Sequence, residues 1–349
     1  MPEDPAPLSH SVSDYRVIVI GASAGGLEML RTLVAGLPAD LPAAIFVVRH
    51  FFRESTSLLP ELLMQAGSLP ALHPYNGQPI ERGTIYVAPP DYHMLLKQPG
   101  IIMLDHGARE NLHRPAIDPL FRSAARTYGA ATIGVVLSGT QDDGAAGLLA
   151  IQLRGGRTIV QDPADAPYPE MPQNALEQVP GVERVAPIAE IPGLLTEWVR
   201  QELPAATAAH ATRGRIEGSL EREGSAKEGR TMENDPLATG PTVLICPECG
   251  GALALHQDGN LVQYRCHVGH IFGLQSLDAA YSERVEQALW AAMRALKERA
   301  ALNERMAERM SLPGLREEYR KQASAAWAQA RQIEELLAQL PLLSNAADD

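Results

Sequence analysis

Short apolar runs alternate with segments of helical periodicity from residue 15 to residue 203, and this alternation constrains the fold more than any other feature of the chain. The runs are rich in β-branched residues, whereas the segments between them carry apolar residues at three- and four-residue spacing. Several runs are apolar throughout, which is typical of parallel strands buried on both faces. The pattern predicts a doubly wound α/β domain with a mostly parallel sheet and helices on both faces.

The expected elements follow one another regularly, apart from an irregular middle. Strands are predicted at 15–21, 43–50, 83–89, 131–139, 157–162 and 184–188, with a hairpin over 94–104. Helices are predicted at 25–37, 55–66, 115–128, 143–153, 171–178 and 190–203. Functional groups are expected at the edge where neighbouring parallel strands end.

Beyond the α/β domain, predicted at 14–203, the composition changes twice. Small and charged residues without apolar periodicity indicate a flexible linker. Further on, apolar residues return at helical spacing on both sides of a break at 311–314, which predicts two antiparallel helices and offers a surface for a homodimer. The predicted segments are a tail at 1–13, a linker at 204–240, a zinc-ribbon-like module at 241–275, a helical hairpin at 276–341 and a tail at 342–349.

The composition excludes several classes of protein. With 45% hydrophobic and 21% charged residues, the chain is typical of a globular protein. A net charge of -12 and a pI near 5.3 argue against nucleic acid as a partner. The chain has no apolar run of the ~20 residues that a membrane span requires, and its first residues lack a secretion signal. We therefore expect a cytoplasmic protein, without membrane insertion, that acts on protein or small-molecule partners.

The first strand ends in a glycine-rich turn. The segment Gly21-Ala22-Ser23-Ala24-Gly25-Gly26 has G-x-S-x-G spacing, which presents a serine hydroxyl on a sharp turn from strand to helix. A dinucleotide site is disfavoured, because Ser23 stands where a glycine must approach the pyrophosphate. Two interpretations stay open: Ser23 is a nucleophile, or it only caps the helix.

A serine nucleophile needs a base and a supporting carboxylate. His50 ends the second strand and lies beside Ser23 by topology, although a histidine at a strand end is often structural. Asp142 and Asp143 follow the strand at 131–139, and each could support the histidine or cap a helix. Other histidines fall in the irregular middle and could shape a pocket: His93, His106 and His113.

Six separated segments carry a specific resemblance: VIVIGASAGGLEML, FVVRHF, YVAPPDYHM, NLHRPAIDPLFRSAA, GVVLSGTQDDGAAGL and TIVQDPADAPYPEMPQNAL. In this order they resemble the catalytic domain of the chemotaxis receptor methylesterase family (CheB), over residues 15–200. The resemblance implies a triad of Ser23, His50 and Asp143. It also implies hydrolysis of glutamyl γ-methyl esters on methylated chemoreceptors, with glutamine deamidation as a related activity. Amides near Ser23 and in the Gly139 loop would bind the oxyanion.

The chain departs from the family pattern in two ways. Ala24, Arg49 and Thr140 replace a threonine, a glutamine and a methionine, which affects the expected oxyanion contacts and substrate preference. With about 14 residues before the first strand, we expect no receiver domain and no activation by phosphorylation within this chain. An alternative is an adaptor that has lost turnover and docks to a receptor array or a methyltransferase. A third interpretation is a hydrolase of small esters.

The three cysteines lie close together and indicate a metal site. Cys246 and Cys249 can form one knuckle, and Cys266 with His270 can form a second, which gives a closed Cys3His set suited to structural zinc. His267 is an alternative fourth ligand, although it is adjacent to Cys266. An odd number of cysteines in one short segment does not support a disulfide framework. We assign this site no reaction, and we expect no cofactor for catalysis.

Overall fold

The structure of the protein is a computed structural model that describes residues 15–50, 57–98, 100–203 and 244–339. The predicted tails, the predicted linker and the start of the predicted zinc module lie outside these ranges. The chain divides into two compact units, of which the first ends at Ser276 and the second begins at Leu277. The domain boundaries expected from the sequence stay predictions.

A seven-stranded sheet forms the centre of the first unit, and all its pairings are parallel. Its strands, in spatial order, are β10 (Arg184–Ala186), β9 (Arg157–Gln161), β8 (Thr132–Val136), β1 (Val17–Ala22), β2 (Ala44–Arg49), β5 (Ile85–Val87) and β3 (Ala71–Leu72). Every residue of β1 is buried, because the sheet is covered on both faces. The predicted fold class is confirmed.

In the described part of the chain, six α-helices accompany the sheet: α1 (Gly26–Ala35), α2 (Leu59–Ala66), α3 (Ile117–Tyr128), α4 (Ala145–Leu153), α5 (Glu170–Gln178) and α6 (Ile191–Arg200). Alternate residues of β1 enter two separate apolar layers, as the two-residue period of a strand requires. Ile18 and Ile20 belong to the layer that contains Trp198 of α6. Val17 and Val19 belong to the layer that contains Phe121 of α3.

A second, antiparallel sheet contains the predicted hairpin. It consists of β4 (Gln78–Pro79), β7 (Ile101–Asp105) and β6 (His93–Lys97), in that order. The hairpin β6–β7 was expected, whereas the two-residue strands β3 and β4 are too short to produce a periodic signal in the sequence. His93 therefore begins a strand and does not lie in irregular chain.

The cysteine segment forms a small antiparallel sheet within the first unit. Its strands are β11 (Leu253–Asp258), β12 (Leu261–Cys266) and β13 (Ile271–Phe272). A turn between β12 and β13 carries His270. The short strand β13 contacts the parallel-sheet domain: the Asn111 N–H donates a hydrogen bond to the Ile271 carbonyl at 2.7 Å.

Two long helices account for the described part of the second unit, α7 (Leu274–Arg309) and α8 (Pro313–Gln339). They run antiparallel, as Lys297 pairs with Glu334 and the Trp327 indole donates to Glu304. The predicted hairpin is therefore present. Alanines occupy many of its buried positions, whereas Val285, one of the apolar residues at helical spacing, is 53% exposed. No described helix is long and apolar enough to cross a bilayer.

Candidate active site and metal site

Ser23 occupies the turn between β1 and α1. Its N–H donates to the Ser138 carbonyl at 2.9 Å, and its own carbonyl accepts from the Gly26 N–H at 3.0 Å. Gly25 is the N-cap residue of α1, and no side chain caps this helix. The alternative interpretation of Ser23 as a helix cap is therefore wrong, and its hydroxyl is directed to the next strand end.

Two glycines pack closely around this serine, one in its own turn and one in the loop after β8. Gly25 has φ +66, and a Cβ there would lie 2.8 Å from a ring carbon of Tyr168. A Cβ on Gly139, in the loop after β8, would lie 2.7 Å from both the Ser23 Cβ and the Met171 Cε. These distances are shorter than van der Waals contact, so a side chain at either position would displace the serine or its surroundings.

His50 follows β2 and connects Ser23 to a carboxylate. Its Nδ1 lies 3.0 Å from the Ser23 Oγ, and its Nε2 lies 2.8 Å from the Asp143 Oδ2. A neutral ring with its proton on Nε2 satisfies both contacts and leaves Nδ1 free to accept the serine proton. The two ring nitrogens are exchanged relative to the chymotrypsin arrangement, in which Nε2 faces the serine.

Asp143, which lies in the loop after β8, is 1% exposed and fully engaged. Besides His50, it accepts hydrogen bonds from the Ile117 N–H at 2.6 Å, the Asp118 N–H at 3.2 Å and the Asn111 Nδ2 at 2.9 Å. Two of these donors are amides in the first turn of α3, where the helix dipole also favours negative charge. The carboxylate is thus fixed in orientation before any substrate binds.

The hydrogen bonds to Asp143 outweigh the effect of its burial. Burial by itself would raise the pKa of Asp143, but His50, the Ile117 amide and Asn111 hold that pKa well below its ordinary value. The neighbouring Asp118 shows the opposite direction, because burial and the Asp143 charge raise its pKa well above the usual range. The charge of the pair therefore resides on Asp143, next to the histidine that it supports.

A second histidine packs on the first. The rings of His113 and His50 are parallel within 8°, with their centroids 3.5 Å apart. Burial, followed by the proximity of His50, lowers the pKa of His113 well below its ordinary value. His113 is therefore neutral and holds the His50 ring flat without adding a positive charge. The sequence suggested only a general role in a pocket for this residue.

The two consecutive aspartates face different parts of the molecule. Asp143 contacts His50, whereas the Asp142 carboxylate accepts the N–H groups of Gln275 and Ser276, both at 3.2 Å, and the Ser276 hydroxyl. Burial raises the pKa of Asp142, and its bonds with Ser276 and Gln275 oppose that effect. The alternative choice of Asp142 as partner of the histidine is therefore wrong.

Two amides remain available for an oxyanion. In the Gly139 loop, the Gly139 N–H itself donates to the Tyr168 carbonyl at 3.0 Å, so the expected contribution of this loop would have to come from another of its amides and stays a prediction. Within the described part of the chain, the N–H groups of Ala24 and Gly25 make no hydrogen bond. They directly follow the serine at the beginning of α1, where unpaired helix amides favour an anion.

Sequence reasoning missed two buried residues behind the triad. Asn111 is 2% exposed and Asp118 is 1% exposed. Asp118 accepts the N–H groups of Gly144 at 3.1 Å and Gly147 at 2.6 Å, and so ties α3 to the Asp143 loop. The available signal was an acidic residue beside Ile117 on the apolar side of a predicted helix, where a charge is rare unless it is paired.

Cys246, Cys249, Cys266 and His270 converge on one point, with their ligand atoms within 4.8 Å of one another. Sulfur atoms of Cys249 and Cys266 are 3.6 Å apart, and the His270 Nδ1 lies 3.4 Å and 3.7 Å from the sulfurs of Cys266 and Cys246. A tetrahedral zinc ion would require separations of about 3.8 Å between sulfurs and about 3.6 Å between sulfur and nitrogen. The set therefore fits a metal such as zinc. His267, the alternative fourth ligand, is outside this set and exposed.

Comparisons with known proteins agree with this architecture. A family model described as CheB methylesterase matches residues 18–195, which is half of the chain. The catalytic domain of CheB methylesterase from Thermotoga maritima is 33% identical, with a TM-score of 0.51, and is matched over 100% of its length and 53% of this chain. The fold and the site are those of an α/β protein with a serine, a histidine and an aspartate at one sheet edge. The chain belongs to the CheB methylesterase family.

Curated relatives carry two activities in their names. A protein-glutamate methylesterase/protein-glutamine glutaminase of Anaeromyxobacter dehalogenans is 40% identical over 184 residues, which cover 53% of each chain. A relative from Geobacter metallireducens with the same double name is 35% identical over 201 residues, 56% of this chain and 55% of that one. The chain thus spans about half the length of these relatives. The match to the family model ends at residue 195, before the cysteine segment and the helical hairpin.

Proposed function

We propose that the protein is a serine hydrolase that demethylates glutamyl γ-methyl esters of chemotaxis-type receptors. The observation that carries this proposal is the continuous hydrogen-bonded series from Ser23 through His50 to Asp143. Family membership supports the ester substrate, because the relatives are named protein-glutamate methylesterases. An adaptor that had lost turnover would have no need of this aligned series.

In the proposed reaction, His50 takes the Ser23 proton on Nδ1 as the serine oxygen attacks the ester carbonyl carbon. Asp143 stabilises the resulting imidazolium through Nε2. The amides of Ala24 and Gly25 stabilise the tetrahedral oxyanion, and methanol leaves with the proton from His50. Water, deprotonated by the same histidine, then attacks the acyl-serine; the bond to the Ser23 oxygen breaks, His50 returns the proton to that oxygen, and the glutamate carboxylate is released. Deamidation of glutamine would follow the same steps with ammonia as the leaving group.

We further propose that the Cys3His set holds a structural zinc ion. Its four protein ligands form a closed shell without an open position, which is typical of structural and not of catalytic zinc sites. When bound, the ion would join the two knuckles of the module. Cytoplasmic location and a methylated chemoreceptor as partner belong to the same proposal, whereas a methyltransferase partner and a homodimer through the C-terminal helices stay predictions from the sequence.

The test is methanol release from a methylated chemoreceptor by the wild type and by Ser23→Ala. We expect a loss of about 10³-fold or more, because the triad acts as a unit. Ser68→Ala, at an exposed serine, is the matched control and should keep wild-type turnover.

A fluorophosphonate probe separates the enzyme from an adaptor. The enzyme should be labelled once per chain, and Ser23→Ala should abolish the labelling. Unlabelled wild type, or methanol release that survives Ser23→Ala, would refute the proposed nucleophile. Faster turnover of p-nitrophenyl acetate than of the methylated receptor would favour a hydrolase of small esters.

A further inference from the structure

The segment Ile271–Ser276, here named the docking segment, contacts the loop that carries the proposed catalytic aspartate. Asp142 is 4% exposed and takes no part in the proposed chemistry. Its carboxylate instead accepts hydrogen bonds from the backbone of Gln275 and Ser276 and from the Ser276 hydroxyl. The residue next to Asp143 is thereby attached to chain more than 130 positions away.

Asn111 provides a second attachment. Its Nδ2 donates to the Asp143 Oδ1 at 2.9 Å, while its Oδ1 accepts the Gly273 N–H at 2.9 Å. Its backbone N–H donates to the Ile271 carbonyl at 2.7 Å. One buried side chain therefore contacts both the proposed catalytic carboxylate and the docking segment, and its orientation depends on both.

These hydrogen bonds lie in the interior, where the polar groups that make them have few other partners. Ser276 is fully buried, and Phe272 is 1% exposed. If the docking segment withdrew, the Asp142 carboxylate and the Asn111 carbonyl oxygen would lose partners in a site that solvent does not otherwise reach. The loop and Asn111 would then reorganise toward water, and Asp143 would lose one of the donors that fix it.

We infer that the docking segment positions Asp143 for catalysis, acting through Asn111 and Asp142. This inference rests on the proposed function. Its physical basis is that a triad carboxylate must hold the imidazole in one tautomer and orientation, and small displacements of a fixed group reduce turnover strongly. The docking segment is thus a positioning element, and the described hydrogen bonds of Ser23 and His50 do not involve it.

The docking segment also connects the active site to the proposed zinc site. Ile271 directly follows His270, and β13 pairs with β12, which ends at Cys266. Loss of the metal would loosen the turn from which the docking segment extends.

Gly273→Ala tests this inference without altering the triad. A Cβ on Gly273 would overlap the Asp142 carboxylate, including its Cγ at 2.5 Å, and that carboxylate is held by three hydrogen bonds. The backbone of Gly273 is not left-handed, so alanine is not strained by its conformation alone. Gly193→Ala in α6 is the matched control, because its added Cβ would have no atom within 4 Å.

In Gly273→Ala we expect kcat for methyl ester hydrolysis to fall about ten- to a hundredfold, while KM stays within about twofold. The fluorophosphonate labelling rate should fall with it, but the final stoichiometry should stay at one label per chain. A merely unfolded fraction would lower the stoichiometry instead. Wild-type kcat in Gly273→Ala, or an increase that marks the docking segment as a restraint, would overturn the inference.

Amide hydrogen exchange gives a readout that needs no catalysis. We expect the amides of 141–147 and of Ile117 and Asp118 to exchange about tenfold faster in Gly273→Ala than in wild type or Gly193→Ala. Unchanged exchange would overturn the inference. If the wild type shows no Ser23-dependent hydrolysis, the proposed function fails, and exchange alone decides whether the docking segment positions the loop.

If Gly273→Ala does not fold, Ser276→Ala replaces it. This variant removes only the hydroxyl that donates to Asp142 and leaves the backbone donors in place. We expect a smaller loss of kcat, about three- to tenfold, with KM unchanged and faster exchange of the same amides. Ser68→Ala again serves as control, and identical kcat in Ser276→Ala and Ser68→Ala would contradict the inference.

Discussion

The triad edge and the cysteine cluster are assembled by opposite means. Ser23, His50 and Asp143 are far apart in the chain, and three neighbouring strands with fully buried cores bring them together. The members of the cysteine cluster are at most 24 positions apart in the chain, and its strands lie outside the two apolar layers of the large sheet. The first site therefore depends on the packing of the sheet, whereas the second would depend on the ion that its ligands share.

The largest effect is expected from removing the charge at the triad edge. Asp143→Asn should lower kcat about 10³- to 10⁴-fold, because an amide favours the wrong histidine tautomer. Thermal unfolding should change far less, since the packing of the strands is unaltered. Asp40→Asn, at an exposed aspartate, is the control. Near-normal methanol release by Asp143→Asn would show that turnover does not depend on the Asp143 carboxylate, and would contradict this prediction.

Loss of a metal ligand should damage the cysteine module and leave the sheet folded. In Cys266→Ser, we expect bound zinc to fall from about one equivalent to less than a tenth. His267→Gln should keep its zinc, because His267 lies outside the ligand set. Metal analysis checks both variants. Full zinc content in Cys266→Ser would show that the cluster is not the site.

A truncation in the sheet core should have the complementary effect. Phe46 is fully buried and stacks on Tyr86 with ring centroids 5.3 Å apart. Phe46→Ala should lower the free energy of unfolding by ~3–5 kcal/mol, as measured by urea denaturation. Zinc content measured before the unfolding transition should stay at the wild-type level. If Phe46→Ala lost both zinc and stability, the folding of the cysteine module would depend on the folding of the sheet.

Acid should lower the free energy of unfolding by protonating Asp143, and we expect this to be the smallest of the four predicted effects. Its pKa is lowered in the folded state, so its contribution to stability is present above the unfolded pKa near ~4 and is lost as the pH falls through the folded value. We expect wild-type stability to fall more steeply than that of Asp143→Asn between about pH 4 and pH 2. Urea titrations across that range measure the two slopes, and parallel slopes would contradict the expectation.

The sequence predicts the triad edge well because parallel strands end at one side of a sheet. His50 follows from topology, since it ends the strand expected next to the serine. The turn motif identifies Ser23, although only the structure shows that it does not cap the helix. The residues alone do not separate Asp142 from Asp143, because side-chain direction within a loop depends on contacts with distant chain.

The support behind the triad was not predictable for the same reason. Asn111 has φ +49 and takes its role from a segment more than 160 positions away, and no periodicity in the sequence reports such a contact. In the sequence, residues 271–276 show only the end of the predicted zinc module and the start of a helix, with no signal of a contact to Asn111 or Asp142. The four residues of the cysteine cluster, in contrast, are close together in the sequence, so their spacing alone predicts them as metal ligands.

The place of the serine on the first strand of the sheet has a consequence for protein synthesis. Ser23 leaves the ribosome about 120 residues before Asp143, an interval of roughly 6–24 s at typical elongation rates. Gly273 and Ser276 emerge still later. Over that interval the nascent chain therefore carries the Ser23 hydroxyl without its proposed aspartate partner, and it lacks the docking segment for longer still.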